Sequence, residues 1–314
     1  MLNVVDQVQN TFYQNHFIST KHITLPEVEL LLARATHYKQ IKQSNCLQHK
    51  IVATCFFEPS TRTRLSFEAA TIRLGGKNIG FTGTESISVQ KGETLADTMK
   101  MMGSYADLII LRHSQEGAAR LASEVVQVPV INAGDGANQH PTQAVLDLFS
   151  MQECQKQLQG LSIALVGDLK HGRTVHSLLN LCALYDMRIY LVSPEMLLLP
   201  DALCDQLKQR GLRFSFHQDI EEVLPKIDIL YMTRIQKERF AKESRLIRTT
   251  PYQLTLEMLR FAKPNLKILH PLPRVDELPR EIDNTPFAYY FQQAANGVPV
   301  RQALLSLLLN EHIA

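Results

Sequence analysis

The stretch from Ile51 to Gly75, IVATCFFEPSTRTRLSFEAATIRLG, constrains this chain more than any other. Ile51 to Phe57 is an unbroken run of apolar, largely β-branched and aromatic side chains, the pattern of a strand buried on both faces. Glu58-Pro59 ends the run, and Ser60-Thr61-Arg62-Thr63-Arg64 leads straight into apolar residues at helical spacing, namely Leu65, Phe67, Ala69, Ala70, Ile72 and Leu74. Gly75-Gly76 is a good helix stop. A helix that begins at hydroxyls exposes backbone N–H groups with no partner in its first turn. With the two guanidinium groups beside them, those N–H groups suit a dianion such as phosphate. The helix terminus contributes about 0.3–1 kcal/mol toward an anion and each hydrogen bond to a charged group about 1.5–3 kcal/mol, so the side chains dominate. The same residues also fit a bare capping role, with Ser60 as the cap and both arginines solvated.

The rest of the chain repeats the strand-then-helix rhythm. Strands are expected at Lys77 to Phe81, Asp107 to Leu111 and Val128 to Asn132, and helices from Leu25-Pro26-Glu27, over Glu93 to Met102, over Glu116 to Glu124 and from Pro141. Past Gly160 a second set begins, with strands at Ser162 to Val166, Arg188 to Val192, Arg213 to Phe216, Asp228 to Met232 and Leu266 to Leu269. Helices are expected over Val175 to Ala183, Pro200 to Arg210, Ile220 to Lys226 and Pro299 to Leu309. This alternation predicts an α/β fold of two domains, each a parallel sheet flanked by helices, joined by interdomain helices. The domains are expected at 1–141 plus 297–314 and at 142–296, with residues 1 to about 20 as a partly ordered arm. Polar groups recur just after strand ends: Arg112-His113, Asn138 to Gln143, Gly167 to Thr174, Thr233-Arg234-Ile235-Gln236 and His270 to Arg274. In an open parallel sheet that is the ligand edge.

Composition excludes several classes. With 45% hydrophobic and 20% charged residues over 314 positions the chain is globular, not disordered. A net charge of +2 gives no nucleic-acid footprint. No run of apolar residues is long enough to cross a membrane. The five cysteines are odd in number, widely spaced and without a C-x-x-C, which points to thiols in a reducing, cytoplasmic compartment rather than to disulfides or zinc.

Taken together, Ser60-Thr61-Arg62-Thr63-Arg64, Lys91-Gly92-Glu93-Thr94, His140-Pro141-Thr142-Gln143 and His270-Pro271-Leu272-Pro273-Arg274 resemble the motifs of the aspartate/ornithine carbamoyltransferase family. GDLKHGRT from Gly167, YMTRIQKER from Tyr231 and YYFQQA from Tyr289 extend the likeness, which runs from about Lys21 to Asn310. Members acting on ornithine resemble one another in a Cys after the His of the last motif. Pro271 stands there instead, and Arg234 with Gln236 suits a dicarboxylate, so aspartate is the expected acceptor.

The resemblance implies that carbamoyl phosphate lies on Ser60, Thr61, Arg62 and Thr63, with Arg112 also on its phosphate side. Thr63, Arg112 and His140 would surround the carbamoyl oxygen, while Gln143 and the carbonyls of Pro271 and Leu272 take the amide. Arg173 and Arg234, assisted by Gln236, would hold aspartate, and Ser88 and Lys91 would come from a neighbouring subunit of a homotrimer with shared active sites. It implies no cofactor and no metal at the site, and it allows for a separate zinc-containing regulatory chain. A nicotinamide-dependent dehydrogenase is disfavoured because no G-x-G-x-x-G follows a strand. A catalytically silent scaffold is disfavoured by the intact Arg62, Lys91, Arg112, His140, Arg173 and Arg234.

Overall fold

The computed structural model describes residues 10–83, 88–235 and 252–311. The chain divides into two compact units, Met1–Val145 with Asn296–Ala314, and Leu146–Ala295.

In the first unit the order is α1 (Leu25–Ile41), β1 (Ile51–Phe56), α2 (Thr61–Arg73), β2 (Lys77–Thr82), α3 (Leu95–Tyr105), β3 (Leu108–His113), α4 (Ala118–Val125) and β4 (Val130–Asp135), after which α5 (Pro141–Gln155) runs on into the second unit. The sheet is wholly parallel, in the order β2-β1-β3-β4. β1 is central and buried from Val52 to Phe56, which is why its sequence is a continuous apolar run instead of an alternating one. β2, at the sheet edge, is largely exposed. Ala53, Cys55, Ile109, Leu111 and Val130 pack with Met99 of α3 and Ala118 and Ala122 of α4 as one core. Each fully buried side chain of Leu or Ile size contributes about 1.5–3 kcal/mol.

The second unit holds β5 (Ser162–Val166), α6 (Arg173–Cys182), β6 (Arg188–Val192), α7 (Asp201–Gln209), β7 (Arg213–His217), β8 (Ile229–Met232) and β9 (Lys267–Leu269), and α8 (Tyr290–Leu309) leaves it for the first unit. This sheet is also parallel throughout, in the order β7-β6-β5-β8-β9. Each sheet therefore grows outward from a middle strand in one direction and then in the other. The switch falls between β1 and β3 in the first unit and between β5 and β8 in the second. In open parallel sheets such a switch point, at the C-terminal strand ends, is where ligands bind.

The structure departs from the sequence-based expectations in several places. Ile220 to Lys226 forms only turns and a 3₁₀ segment, Leu224–Lys226. Pro225 has no N–H to continue a helix, and the buried Ile220, Val223, Leu224 and Ile227 anchor the segment as a loop. The last helix starts at Tyr290, nine residues before Pro299, and carries that proline in its interior. A proline is commonest at a helix start, but here buried residues on both sides, Tyr290, Gln293 and Asn296 before it and Val300 to Leu309 after it, hold the helix together. β4, expected to end at Asn132, runs on through Gly134 to Asp135. Within the N-terminal arm Phe12 and Phe17 are buried, and Phe17 bridges in parallel to Ile131 of β4.

Candidate active site

In the first unit the strand order brings the expected residues to one sheet edge. Phe56 and Arg112 are register partners at the C-terminal ends of β1 and β3, and β4 lies next to β3. The loop from Glu58 into α2, the Arg112 side chain and the loop that carries His140 into α5 thus leave neighbouring strands on the same side.

Ser60 occupies the N-cap position of α2, yet its side chain makes no capping bond. The hydroxyl and the first N–H groups of the helix are not consumed by each other, which favours the anion reading over the bare cap. Arg62 is exposed, and partial burial lowers its pKa without threatening its charge. Thr63 is buried. Arg64, by contrast, is engaged locally: it ion-pairs with Glu68 at 2.7 Å one turn along α2 and also hydrogen-bonds Thr82.

Arg112 is buried, with 8% of its surface exposed, so its charge needs fixed partners. Its Nη1 donates to the Ala133 carbonyl at 3.1 Å, and its Nε lies 3.3 Å from the Glu58 carboxylate. His140 and Gln143 are also buried, at the junction of the loop with α5. The loop is shaped by Asp135, a residue that reads in the sequence only as part of a Gly-Asp-Gly turn. Its buried carboxylate accepts from Asn132 Nδ2 at 2.8 Å, Asn138 Nδ2 at 2.9 Å, Gly117 N at 2.9 Å and Gln139 N at 3.1 Å. The bond to Gln139 N fixes the backbone one residue before His140.

Lys91 ends a 3₁₀ turn, Ser88–Lys91, and is exposed. The Ser88 side chain lies outside the described residues.

In the second unit β5, β8 and β9 are adjacent, and their following loops carry Arg173, Arg234 and Pro271-Leu272 respectively. Arg173 is the first residue of α6, and both arginines are half-buried. Gly167 directly follows β5 at φ +118, and a Cβ there would lie 2.3 Å from the Thr233 carbonyl oxygen. Only glycine allows this approach. Across it Thr233 donates from both N and Oγ1 to the Val166 carbonyl, each at 2.8 Å, so the loops bearing Arg173 and Arg234 are stapled together at their roots. Asp168, fully buried, accepts from His171 N at 2.9 Å, and His176 Nε2 donates to the Leu169 carbonyl at 2.8 Å, which fixes the approach to Arg173. Gln236 lies outside the described residues.

After β9, His270 donates its backbone N–H to Gln293 Oε1 at 2.7 Å, and Gln293 Nε2 donates to Asp147 Oδ1 at 2.6 Å. Asp147 Oδ2 accepts from Tyr231 Oη at 2.7 Å, and burial together with that carboxylate pushes the phenol well above its usual pKa. All of these side chains are buried. Asp168 and Gln293 fall inside the GDLKHGRT and YYFQQA motifs, though the motifs assign them no role, while Asp135 and Asp147 have no signature in the sequence beyond being polar residues inside otherwise apolar or glycine-rich stretches.

Two parallel α/β units with polar, cationic loops at the switch points of their sheets form the class of open α/β proteins whose ligands bind at the C-terminal strand ends. Residues 15–153 match the family model described as "Aspartate/ornithine carbamoyltransferase, carbamoyl-P binding domain", and residues 159–308 match the one for the "Asp/Orn binding domain". An aspartate carbamoyltransferase catalytic subunit of Chromobacterium violaceum is 54% identical over 302 residues, 96% of this chain and 100% of the relative. One from Vibrio cholerae is 52% identical over 97% of this chain and 99% of its own length. Aspartate transcarbamoylase of Trypanosoma cruzi in complex with N-(phosphonacetyl)-L-aspartic acid superposes with a TM-score of 0.91 at 37% identity, covering 96% of this chain and 98% of that one. The catalytic subunit of the M. jannaschii enzyme gives 0.86 at 45% identity, over 93% and 97%. The chain belongs to the aspartate/ornithine carbamoyltransferase family.

Proposed function

We propose that this chain transfers the carbamoyl group of carbamoyl phosphate to the α-amine of L-aspartate, giving N-carbamoyl-L-aspartate and phosphate. The observation that carries the reading is the pairing of a phosphate-type helix N-terminus at the β1/β3 switch with two arginines at the β5/β8 switch. Support comes from relatives above 50% identity named for this activity and from T. cruzi structures titled as complexes with carbamoyl phosphate and aspartate.

On this reading residues 1–141 with 297–314 serve carbamoyl phosphate and 142–296 serve aspartate. Ser60, Thr61, Arg62 and Thr63 hold the phosphate. Arg112, Thr63 and His140 face the carbamoyl oxygen, and Gln143 with the Pro271 and Leu272 carbonyls takes the amide. Arg173, Arg234 and Gln236 hold the aspartate carboxylates.

The neutral amine attacks the carbamoyl carbon, the C–N bond forms, and the negative charge moves to the carbamoyl oxygen. As the intermediate collapses, the C–O bond to phosphate breaks and the extra proton on nitrogen passes to the departing phosphate. Holding both substrates in contact supplies about 7–11 kcal/mol of the barrier, and one oxyanion donor about 2.7–4 kcal/mol.

The assembly belongs to the proposal too: a cytoplasmic homotrimer in which Ser88 and Lys91 complete a neighbour's site. The exposed position of Lys91 supports it, as do the exposed Leu65 and Ile72 seven residues apart on α2 and Met101 and Tyr105 on α3. The five free cysteines are consistent with a reducing compartment. The relatives' designation as catalytic subunits leaves room for a second kind of chain, and co-purification of a smaller zinc protein would identify it as the zinc-containing regulatory chain.

The deciding experiment is a carbamoylation assay with aspartate and ornithine as competing acceptors. Aspartate is the expected substrate. Carbamoylation of ornithine but not aspartate overturns the reading.

A further inference from the structure

His270 and Glu277 form a nearly water-free pair, with 1% and 11% of their side chains exposed. His270 Nε2 lies 2.8 Å from Glu277 Oε1, and a carboxylate accepts, so Nε2 carries the proton. Leu272 N lies 2.8 Å from His270 Nδ1, and a backbone N–H only donates, so Nδ1 must present its lone pair. The two demands select one neutral tautomer. Burial works against the charge on Glu277, but the hydrogen bond from His270 and backbone N–H groups outweigh it and hold the carboxyl below its ordinary pKa. The same Glu277 oxygen accepts from Val275 N at 3.1 Å, which ties together both sides of the turn.

The bond to Leu272 N matters for its geometry. The Pro271–Leu272 peptide is trans, the only cis bond among the described residues being Leu272–Pro273. In a planar trans peptide the C=O points opposite to the N–H, so fixing Leu272 N–H toward the imidazole aims the Pro271 carbonyl the other way. Leu272 has φ +55, a conformation that a leucine keeps only when its surroundings impose it.

We propose that Glu277 and His270 are positioning residues that aim the Pro271 carbonyl at the amide of the carbamoyl group, and so make the enzyme selective for a carbamoyl over an acyl phosphate. This rests on the reading above that the carbonyl takes that amide. Neither side chain touches substrate. Glu277 sets the imidazole tautomer, and the imidazole sets the peptide plane.

The test compares carbamoyl phosphate with acetyl phosphate, which has a methyl group where the amide would sit, as competing ligands of the trimeric or native enzyme. Wild type is expected to prefer carbamoyl phosphate. His270→Ala and Glu277→Ala should lower that preference about tenfold, the scale of one hydrogen bond, while inhibition by inorganic phosphate stays unchanged. His270→Asn should restore it, since an Asn oxygen accepts from the N–H two residues on in an Asx turn. Glu277→Gln should likewise restore it by keeping the acceptor.

A folded His270→Ala with wild-type preference, or a His270→Asn as impaired as His270→Ala, overturns the proposal. If His270→Ala does not fold, the Glu277→Ala and Glu277→Gln pair decides by the same criterion. A wild type with no preference between the two phosphates instead sinks the carbonyl assignment itself, and the positioning proposal with it.

Discussion

The Arg112 guanidinium stands with its Nε 3.3 Å from the Glu58 carboxylate while its Nη1 donates to the Ala133 carbonyl at 3.1 Å. One planar fork is thus oriented by the end of β1 and the end of β4 while rooted on β3 between them. A lysine ammonium offers no such fixed geometry. Arg112→Ala is therefore expected to lower kcat/KM for carbamoyl phosphate by about 10²–10³, the scale of one oxyanion donor, and Arg112→Lys should recover little of it. Glu58 keeps 35% of its side chain exposed, so the variant should fold. Steady-state kinetics check this, and near wild-type turnover in Arg112→Ala would remove the residue from the site.

Gly167 and Thr233 make a second test. A methyl group at Gly167 meets the Thr233 carbonyl oxygen at 2.3 Å and sits at φ +118. Gly167→Ala must push apart the roots of the loops that carry Arg173 and Arg234. We expect KM for aspartate to rise at least about tenfold, with a stability loss of about 1–3 kcal/mol for the imposed backbone strain. Thermal unfolding and aspartate titration of the same preparation separate the two effects. An unchanged KM would detach the staple from acceptor binding.

Glu277 supplies a pH signature. Its folded pKa is depressed below the ordinary 4.5, so the unfolded chain binds more protons in the window beneath that value. The stabilisation is fully present above pH 4.5 and is lost as pH falls through the folded pKa. Urea unfolding of wild type should accordingly show stability falling with acidification in that window, and Glu277→Gln should have a shallower slope there. Equal slopes would show that the carboxylate is not held by His270.

Lys91 addresses assembly. If it completes a neighbour's site, Lys91→Ala and Arg234→Ala are each nearly inactive alone, yet trimers co-expressed from both regain activity, because some sites draw an intact residue from each chain. Activity no greater than the sum of the two parents would place Lys91 in its own chain's site.

Much of this site can be read along the chain. The unbroken apolar run of β1, the hydroxyls and arginines after it, and the cationic residues after later strands follow from local rules: burial on both faces removes alternation, and a helix start leaves N–H groups for an anion. Pro225 and Pro299 show where such rules fail, since one proline ended a segment that apolar spacing had suggested would be helical and the other sat inside a helix that burial sustains. What the sequence alone determined is the set of two α/β halves and the chemistry at their strand ends. Tertiary structure decided which strand ends are neighbours, and therefore that Ser60 to Thr63 share an edge with Arg112 and His140, and Arg173 with Arg234 and Leu272. It also decided the roles of Asp135, Asp168 and the His270–Glu277 pair. Strand order is set by non-local burial, and a buried carboxylate gains its meaning only from the N–H groups that folding aims at it.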